Sequence, residues 1–273
     1  MINKLGVMQG RLVPPETKKI QSFPNKNWIK EFYKAKKLKI RYIEWTIDSE
    51  NFYKNPIFSD SKLVKINYLK KKFNIEIKTA TADFFMQKPF WKSNHSKNLL
   101  NDLNNFIFRC ARVNIKYIVI PLVDNSSINR ISNKKKIINT LKSFKNILIR
   151  NKMKFLFELD LSPSLARKFI KNFSKRAFGI NYDTGNSASY GYAVKDEFSS
   201  YAKYIENIHI KDRKLNGFSV PLGQGDVNFS EFFKILKKYK YDNLLILQTA
   251  RSNKNRDFNE IKRNLTFLKK KFK

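Results

Sequence analysis

Four polar residues in the second half of the chain, Glu158, Asp183, His209 and Gln248, sit at or near the ends of otherwise apolar runs: KFLFELD, GINYD, NIHIK and LLILQ. Two carboxylates, an imidazole and an amide oxygen make a donor set suited to a divalent cation such as Mn²⁺, Mg²⁺ or Co²⁺. Taken singly, each could equally be a buried polar group with a hydrogen-bond partner. Their occurrence on four successive runs is what a shared site requires. Earlier runs end in the same way: Gln9 and Arg11 follow the first, Glu44 lies in YIEW, Asp83 in TADFFM, and Asp124 follows KYIVIPL.

These residues must be positioned by the runs that carry them. Strands are expected at 4–8, 41–45, 75–81, 116–122, 154–160, 179–183, 207–211 and 244–248. Several are apolar nearly throughout, as parallel strands covered on both faces should be. Between them, helical periodicity is expected near 26–38, 60–73, 96–114, 131–151, 162–174, 195–203, 228–239 and 256–271. Strand and helix alternating eight times is the sequence form of an α/β fold closed into a (β/α)8 TIM barrel, here one domain over 1–273. In such barrels the C-terminal strand ends converge on the active site. An open doubly wound sheet would normally carry a glycine-rich phosphate turn after an early strand, and MQGRLVPP lacks it.

Composition bounds the rest. The 273 residues carry 56 Lys and Arg against 22 Asp and Glu, a formal charge of +34. That field could draw nucleic acid or an acidic membrane. However, the lysines are spread along the chain, in short clusters (70–72, 134–136 and 269–271) on expected helices, and Asn, Ile and Phe are abundant alongside them. Skewed composition is the preferred explanation, with no membrane and no nucleic-acid partner expected. No apolar run is long enough to span a bilayer. The first residues lack a signal-peptide pattern, and the lone Cys110 fits a reducing, cytoplasmic setting and a packing role. His95 is expected to be a surface or capping residue. Phe84, Phe85, Phe90 and Trp91 are expected to form either a pocket wall, a subunit contact or core.

From Lys4 to Arg251 the chain resembles the sugar phosphate isomerase/epimerase group of xylose-isomerase-like barrels. The segments that carry the resemblance are GVMQGRLVPP, YIEW, FELDL, NYDTGNSASYGY, NIHIKDR, VPLGQGDVNF and LILQTAR. The resemblance implies one divalent ion (Mn, Mg, Co or Zn) held by Glu158, Asp183, His209 and the residue at 248. It also implies a sugar or sugar-phosphate substrate, an enediolate intermediate and a homo-oligomer. Position 248 departs from the group's usual Glu. A Gln can give its oxygen to a metal but cannot take a proton at neutral pH. Glu158 therefore stands as the base, and Lys211, Asp212, Glu44 and Asp83 are candidates for the second proton carrier, Lys211 being assigned with Glu158 to catalysis. A one-base isomerisation needs Glu158 alone.

Substrate contacts are expected from Gln9, Arg11, Glu44, Asp83, Asn186, Asp212, Arg213, Gln224 and Arg251. Asn186 stands where some of the group place a substrate-binding His, although Gly185 and Asn186 also suit a turn. The arginine forks suit carboxylate or phosphate. The segment 217–226, rich in turn residues and including Asp226, should form a lid or wall. Competing readings are a metal-dependent sugar or polyol dehydratase or lyase, and a non-catalytic sugar-binding barrel. An endonuclease-IV-like nuclease is disfavoured, because its several zinc ions need more histidines than the two present.

Overall fold

The computed structural model describes residues 4–17, 19, 21–92, 96–129, 134–252 and 256–272. His95 lies outside them, so its expected role stays an expectation.

Along the chain, β1 (Leu5–Met8) leads to α1 (Trp28–Lys37), β2 (Tyr42–Thr46) to α2 (Asp60–Phe73), and β3 (Thr79–Thr81) to the short α3 (Asp83–Gln87) and the long α4 (Ser96–Arg112). β4 (Tyr117–Leu122) precedes α5 (Lys134–Ser143) and α6 (Lys145–Arg150), and β5 (Lys154–Leu159) precedes α7 (Pro163–Ile170). β6 (Phe178–Asp183) runs into α8 (Thr184–Ser189) and α9 (Val194–Tyr201). β7 (Ile205–Ile210) is followed by a hairpin, β8 (Asp212–Arg213) and β9 (Ser219–Val220), then by α10 (Phe229–Lys238), β10 (Leu244–Leu247) and α11 (Asp257–Phe272).

The strands close in the order β1-β10-β7-β6-β5-β4-β3-β2, every neighbouring pair parallel. This is the expected (β/α)8 barrel, and the expected strands and helices coincide with it closely. Three local expectations are corrected. The third strand is only three residues long; upstream, Glu76 makes an isolated bridge to Tyr42. The helix expected at 131–151 is two, meeting at Phe144. The short α3 and α8 start directly at strand ends, where only loops were expected.

Between strands and outer helices lies one continuous apolar core. Aromatic rings fill much of it: Phe157 stands 5.8 Å from Phe178, 5.3 Å from Phe169 and 4.8 Å from Phe173, centroid to centroid. Phe84, Phe85 and Phe90 are buried and belong to this core, Phe85 meeting Phe84, Phe90 and Trp91 in edge or tilted contact and Phe90 meeting Trp91 edge-on. Cys110 is wholly buried, and burial pushes its thiol well above the ordinary range, as packing rather than reactivity demands. Among the described residues, no helix is long and apolar enough to cross a membrane.

The barrel interior is different in kind. Side chains two apart share a strand face, so Asn181 and Asp183 look the same way on β6, as do Asn207 and His209 on β7. A small apolar cluster of Met8, Tyr42, Leu244 and Ile246 packs apart from the main core. Tyr42 and Ile246 share a face with Glu44 and Gln248, so apolar and polar positions succeed one another along these strands.

Candidate metal and substrate site

The register of β6 and β7 pairs Asp183 with His209, just beyond an irregularity at Ile180/Asn181. Glu158 on β5 completes a group: one donor atom from each of Glu158, Asp183 and His209 lies within 4.8 Å of the others. His209 is wholly buried. Its Nε2 lies 2.8 Å from Glu44 Oε1, and its Nδ1 3.0 Å from Glu158 Oε2 and 4.0 Å from Asp183 Oδ2. One ring nitrogen is thus held by a carboxylate while the other faces the prospective ligand atoms. That is the usual way of fixing a metal-binding imidazole. Burial alone would lower the His209 pKa, but Glu44 and Glu158 outweigh it and hold the imidazole up at about 10. Burial works against ionisation of Glu44 and Glu158 too, yet His209 keeps both below their usual range, so both are carboxylates.

Two asparagines inside the strands knit this layer together. Asn181 Nδ2 donates to Glu158 Oε2 at 2.9 Å, and Asn207 Nδ2 donates to Asn181 Oδ1 at 2.8 Å and to Glu44 Oε2 at 3.2 Å. Thr81 Oγ1 donates to Glu44 Oε1 at 2.8 Å. The sequence reading missed Asn181, Asn207 and Thr81 because it looked only at strand ends. Their signal was there: polar residues inside apolar runs, two positions before a site residue.

The segment DTGN does four separate jobs. Asp183 Oδ1 caps α8 by accepting from the Asn186 N–H at 2.8 Å, leaving Oδ2 to face the site. Thr184 and Gly185 pack against Lys211. Asn186 Nδ2 donates to Glu158 Oε1 at 2.8 Å, and its Oδ1 accepts from Arg213 Nη1 at 2.9 Å. Asn186 therefore faces the site as well as starting a helix.

Above this layer opens a cavity of about 620 Å³. Of the expected site residues, Arg11, Asp83, Glu158, Asn186, Lys211, Arg213 and Gln248 line it, with Lys19, Gln21, Asp124, Phe218 and Ser219 among the others. Arg11 is buried and gives Nε to the Thr249 carbonyl at 2.8 Å, but its Nη1 has no hydrogen-bond partner. Burial, then Arg251, lower its pKa to about 9. Asp83 Oδ2 is likewise without a partner; burial, then Asp48 and Glu158, push this carboxyl well above its usual range.

The remaining expected residues stand elsewhere. Gln9 is wholly buried, and its Oε1 accepts from the Thr46 N–H at 3.3 Å. Glu44 lies in the buried layer. Arg251 reaches the Gly10 and Val13 carbonyls and stands 3.8 Å from Asp257. Gln224 is exposed on the turn after β9. Asp212 is wholly buried and accepts from three backbone N–H groups, Gly223 at 2.8 Å, Gly225 at 2.9 Å and Val227 at 3.2 Å. Asp212 therefore anchors the turn, and its oxygens are spent on backbone rather than offered to a ligand. The hairpin does form a wall, with Phe218 at its tip 85% exposed.

The donor set fits a divalent ion: two carboxylates converge on an already oriented His209, whose Nδ1 would give up its proton to the entering cation. Gln248 Oε1 accepts from Lys211 Nζ at 3.2 Å.

The family described as xylose isomerase-like TIM barrel matches residues 32–271. No curated protein matches significantly in sequence. Among solved structures, the chain is similar to D-psicose 3-epimerase with D-tagatose from Clostridium cellulolyticum H10 (TM-score 0.76, 12% identity, 99% of each chain covered). It is also similar to 3-keto-D-glucoside 4-epimerase from E. coli (TM-score 0.71, 15% identity, 97% of this chain and 99% of that one). A third is the IolI protein with a binding zinc atom (TM-score 0.74, 17% identity, 96% of each). At such identities the likeness is one of fold.

Proposed function

The chain belongs to the xylose isomerase-like TIM barrel family, and we propose that it is a metal-dependent isomerase or epimerase of a sugar, sugar acid or sugar phosphate. The observation that carries this reading is the convergence of Glu158, Asp183 and His209 beside a cavity that Glu158 itself lines. Two structural neighbours named as sugar epimerases and one holding zinc support it.

Glu158, Asp183 and His209 would hold the ion, and the Gln248 amide oxygen, which accepts from Lys211 Nζ at 3.2 Å, would be the fourth donor once that lysine moves aside. The ion would polarise a substrate carbonyl and stabilise the enediolate that follows proton removal. Glu158, ionised and open to the cavity, takes the proton from the carbon next to that carbonyl. Asn181 and Asn186 each donate to one of its oxygens and fix its orientation. Arg213 and Arg11 offer N–H groups to substrate oxygens. Lys211, which lines the cavity, would return a proton.

The test is the divalent metal bound per chain after equilibration with Mn²⁺, Mg²⁺, Co²⁺ or Zn²⁺ and dialysis, beside a Glu158→Gln variant. About one ion per chain, lost in the variant, supports the reading and directs a screen of ketoses, ketose phosphates and keto-acid sugars. Failure to take up any of the four ions sinks it.

A further inference from the structure

Lys211 is held far more firmly than a surface lysine. One hydroxyl fixes its backbone from both sides: Thr184 Oγ1 donates to the Lys211 carbonyl at 2.6 Å and accepts from its N–H at 2.9 Å. Its stem runs across Gly185, where a Cβ would meet Lys211 Cγ at 2.9 Å and Lys211 Cβ at 3.1 Å. Glycine at 185 thus makes room for the lysine. At the head, Nζ lies 2.8 Å from Asp183 Oδ2 and donates to Gln248 Oε1 at 3.2 Å. The side chain is 13% exposed.

The position of this ammonium matters. Asp183 Oδ1 is committed to the helix cap, so Oδ2 is the oxygen available to a cation, and Nζ contacts it. Gln248 has a single acceptor oxygen, and Nζ uses it. Lys211 lines the cavity, whereas Asp183 and His209 do not.

We infer that Lys211 is a built-in competitor for the divalent ion: the ammonium and the ion share Asp183 Oδ2 and Gln248 Oε1, and Nζ must leave for the ion to enter. The inference rests on the metal-dependent reading above. It also accounts for glutamine at 248. A glutamate there would add a negative charge and a second acceptor oxygen, tipping the balance toward the ion. Glutamine does neither, so the tethered cation holds its ground, and affinity for the ion is set low. Once displaced, Nζ remains at the cavity wall, where the ammonium can donate a hydrogen bond or a proton to a substrate.

The experiment is Mn²⁺ binding to the metal-stripped full-length protein, read by calorimetry and by the electron paramagnetic resonance signal of free Mn²⁺. Wild type is compared with Lys211→Met and Lys211→Gln, each checked for a native circular dichroism spectrum. Both variants should bind Mn²⁺ at least about tenfold more tightly, the equivalent of about 1.4 kcal/mol, with Lys211→Arg close to wild type. If one variant fails to fold, the other gives the reading. Equal or weaker binding in the folded variants overturns the inference and leaves the metal-dependent reading standing, provided that wild type binds. If neither wild type nor any variant binds Mn²⁺, Mg²⁺, Co²⁺ or Zn²⁺, the metal-dependent reading falls and this inference falls with it.

Discussion

Asn186 reaches Glu158 directly: its Nδ2 donates to Oε1 of the carboxylate at 2.8 Å, while its own oxygen accepts from Arg213. One amide thus links the prospective base to the prospective substrate-binding arginine. Glu158 Oε1 is buried, so the bond is worth about 1.5–3 kcal/mol, as for a hydrogen bond to a charged group. Asn186→Ala should lower the unfolding free energy of the metal-free protein, read from its urea transition, by an amount in that range. Asn186→Asp should cost more, because it sets a second carboxylate against Glu158. An unchanged midpoint in both variants would remove Asn186 from the network.

A second expectation concerns Glu44. It contacts His209 Nε2 and stands behind the ligand atoms rather than among them. Outer partners of this kind typically change metal affinity about 10–100-fold. Glu44→Gln should weaken Mn²⁺ binding within that range while the protein still melts cooperatively. Undiminished affinity would show that the imidazole needs no such support.

Glu31 gives the chain a pH signature remote from the proposed metal site. It is wholly buried and accepts from the Gly10 and Leu12 N–H groups at 2.8 and 3.1 Å. Burial raises its pKa from 4.5 to about 7 against those hydrogen bonds and against Arg251 and Arg11. The native state therefore keeps a proton that the unfolded chain has lost. Its contribution is complete below about pH 4.5, declines as pH rises, and is gone above about pH 7, a span of about 3 kcal/mol. In Glu31→Gln, unfolding free energy should vary less steeply between these pH values. Parallel curves for wild type and variant would refute the assignment.

Asp212 should show itself through the turn it anchors. Its carboxylate accepts from three backbone N–H groups, and a Cβ on Gly225 would come 2.0 Å from its Oδ1. Asp212→Ala leaves those donors unmet, and Gly225→Ala forces the carboxylate away. Either change should speed limited proteolysis within 214–227 by about tenfold, as a loss of roughly 1–3 kcal/mol in local closing implies. Cleavage at the wild-type rate would show that the turn holds without this anchor.

The barrel was legible because its strands are apolar, short and evenly spaced, so Val7, Ile43, Ile118, Leu156 and Ile208 declare themselves. The three residues proposed to hold the ion stood out because a carboxylate or imidazole is costly in such runs. The partners were not. Sequence marks Asp212 and Lys211 as neighbours of equal promise, and only the β8–β9 hairpin turns one toward backbone and the other toward Asp183. Gln9 and Arg11 show the same divergence: a shift of two residues beyond β1 sends one side chain into the Thr46 backbone and the other to the cavity. Asn181 and Asn207 read as strand filler until the closure of the barrel sets them between Glu44, Glu158 and His209.

Asp183 carries two burdens at once, since one oxygen starts α8 and the other faces Lys211 and His209. Were the proposed catalysis lost in a descendant, only the second burden would be released; the helix would still need its cap. Glu158, whose hydrogen bonds serve the site rather than a helix end, would be free to drift. In any lineage of such chains, Asp183 is therefore a poor witness to activity, and the pairing of Glu158 with Asn186 is the better one.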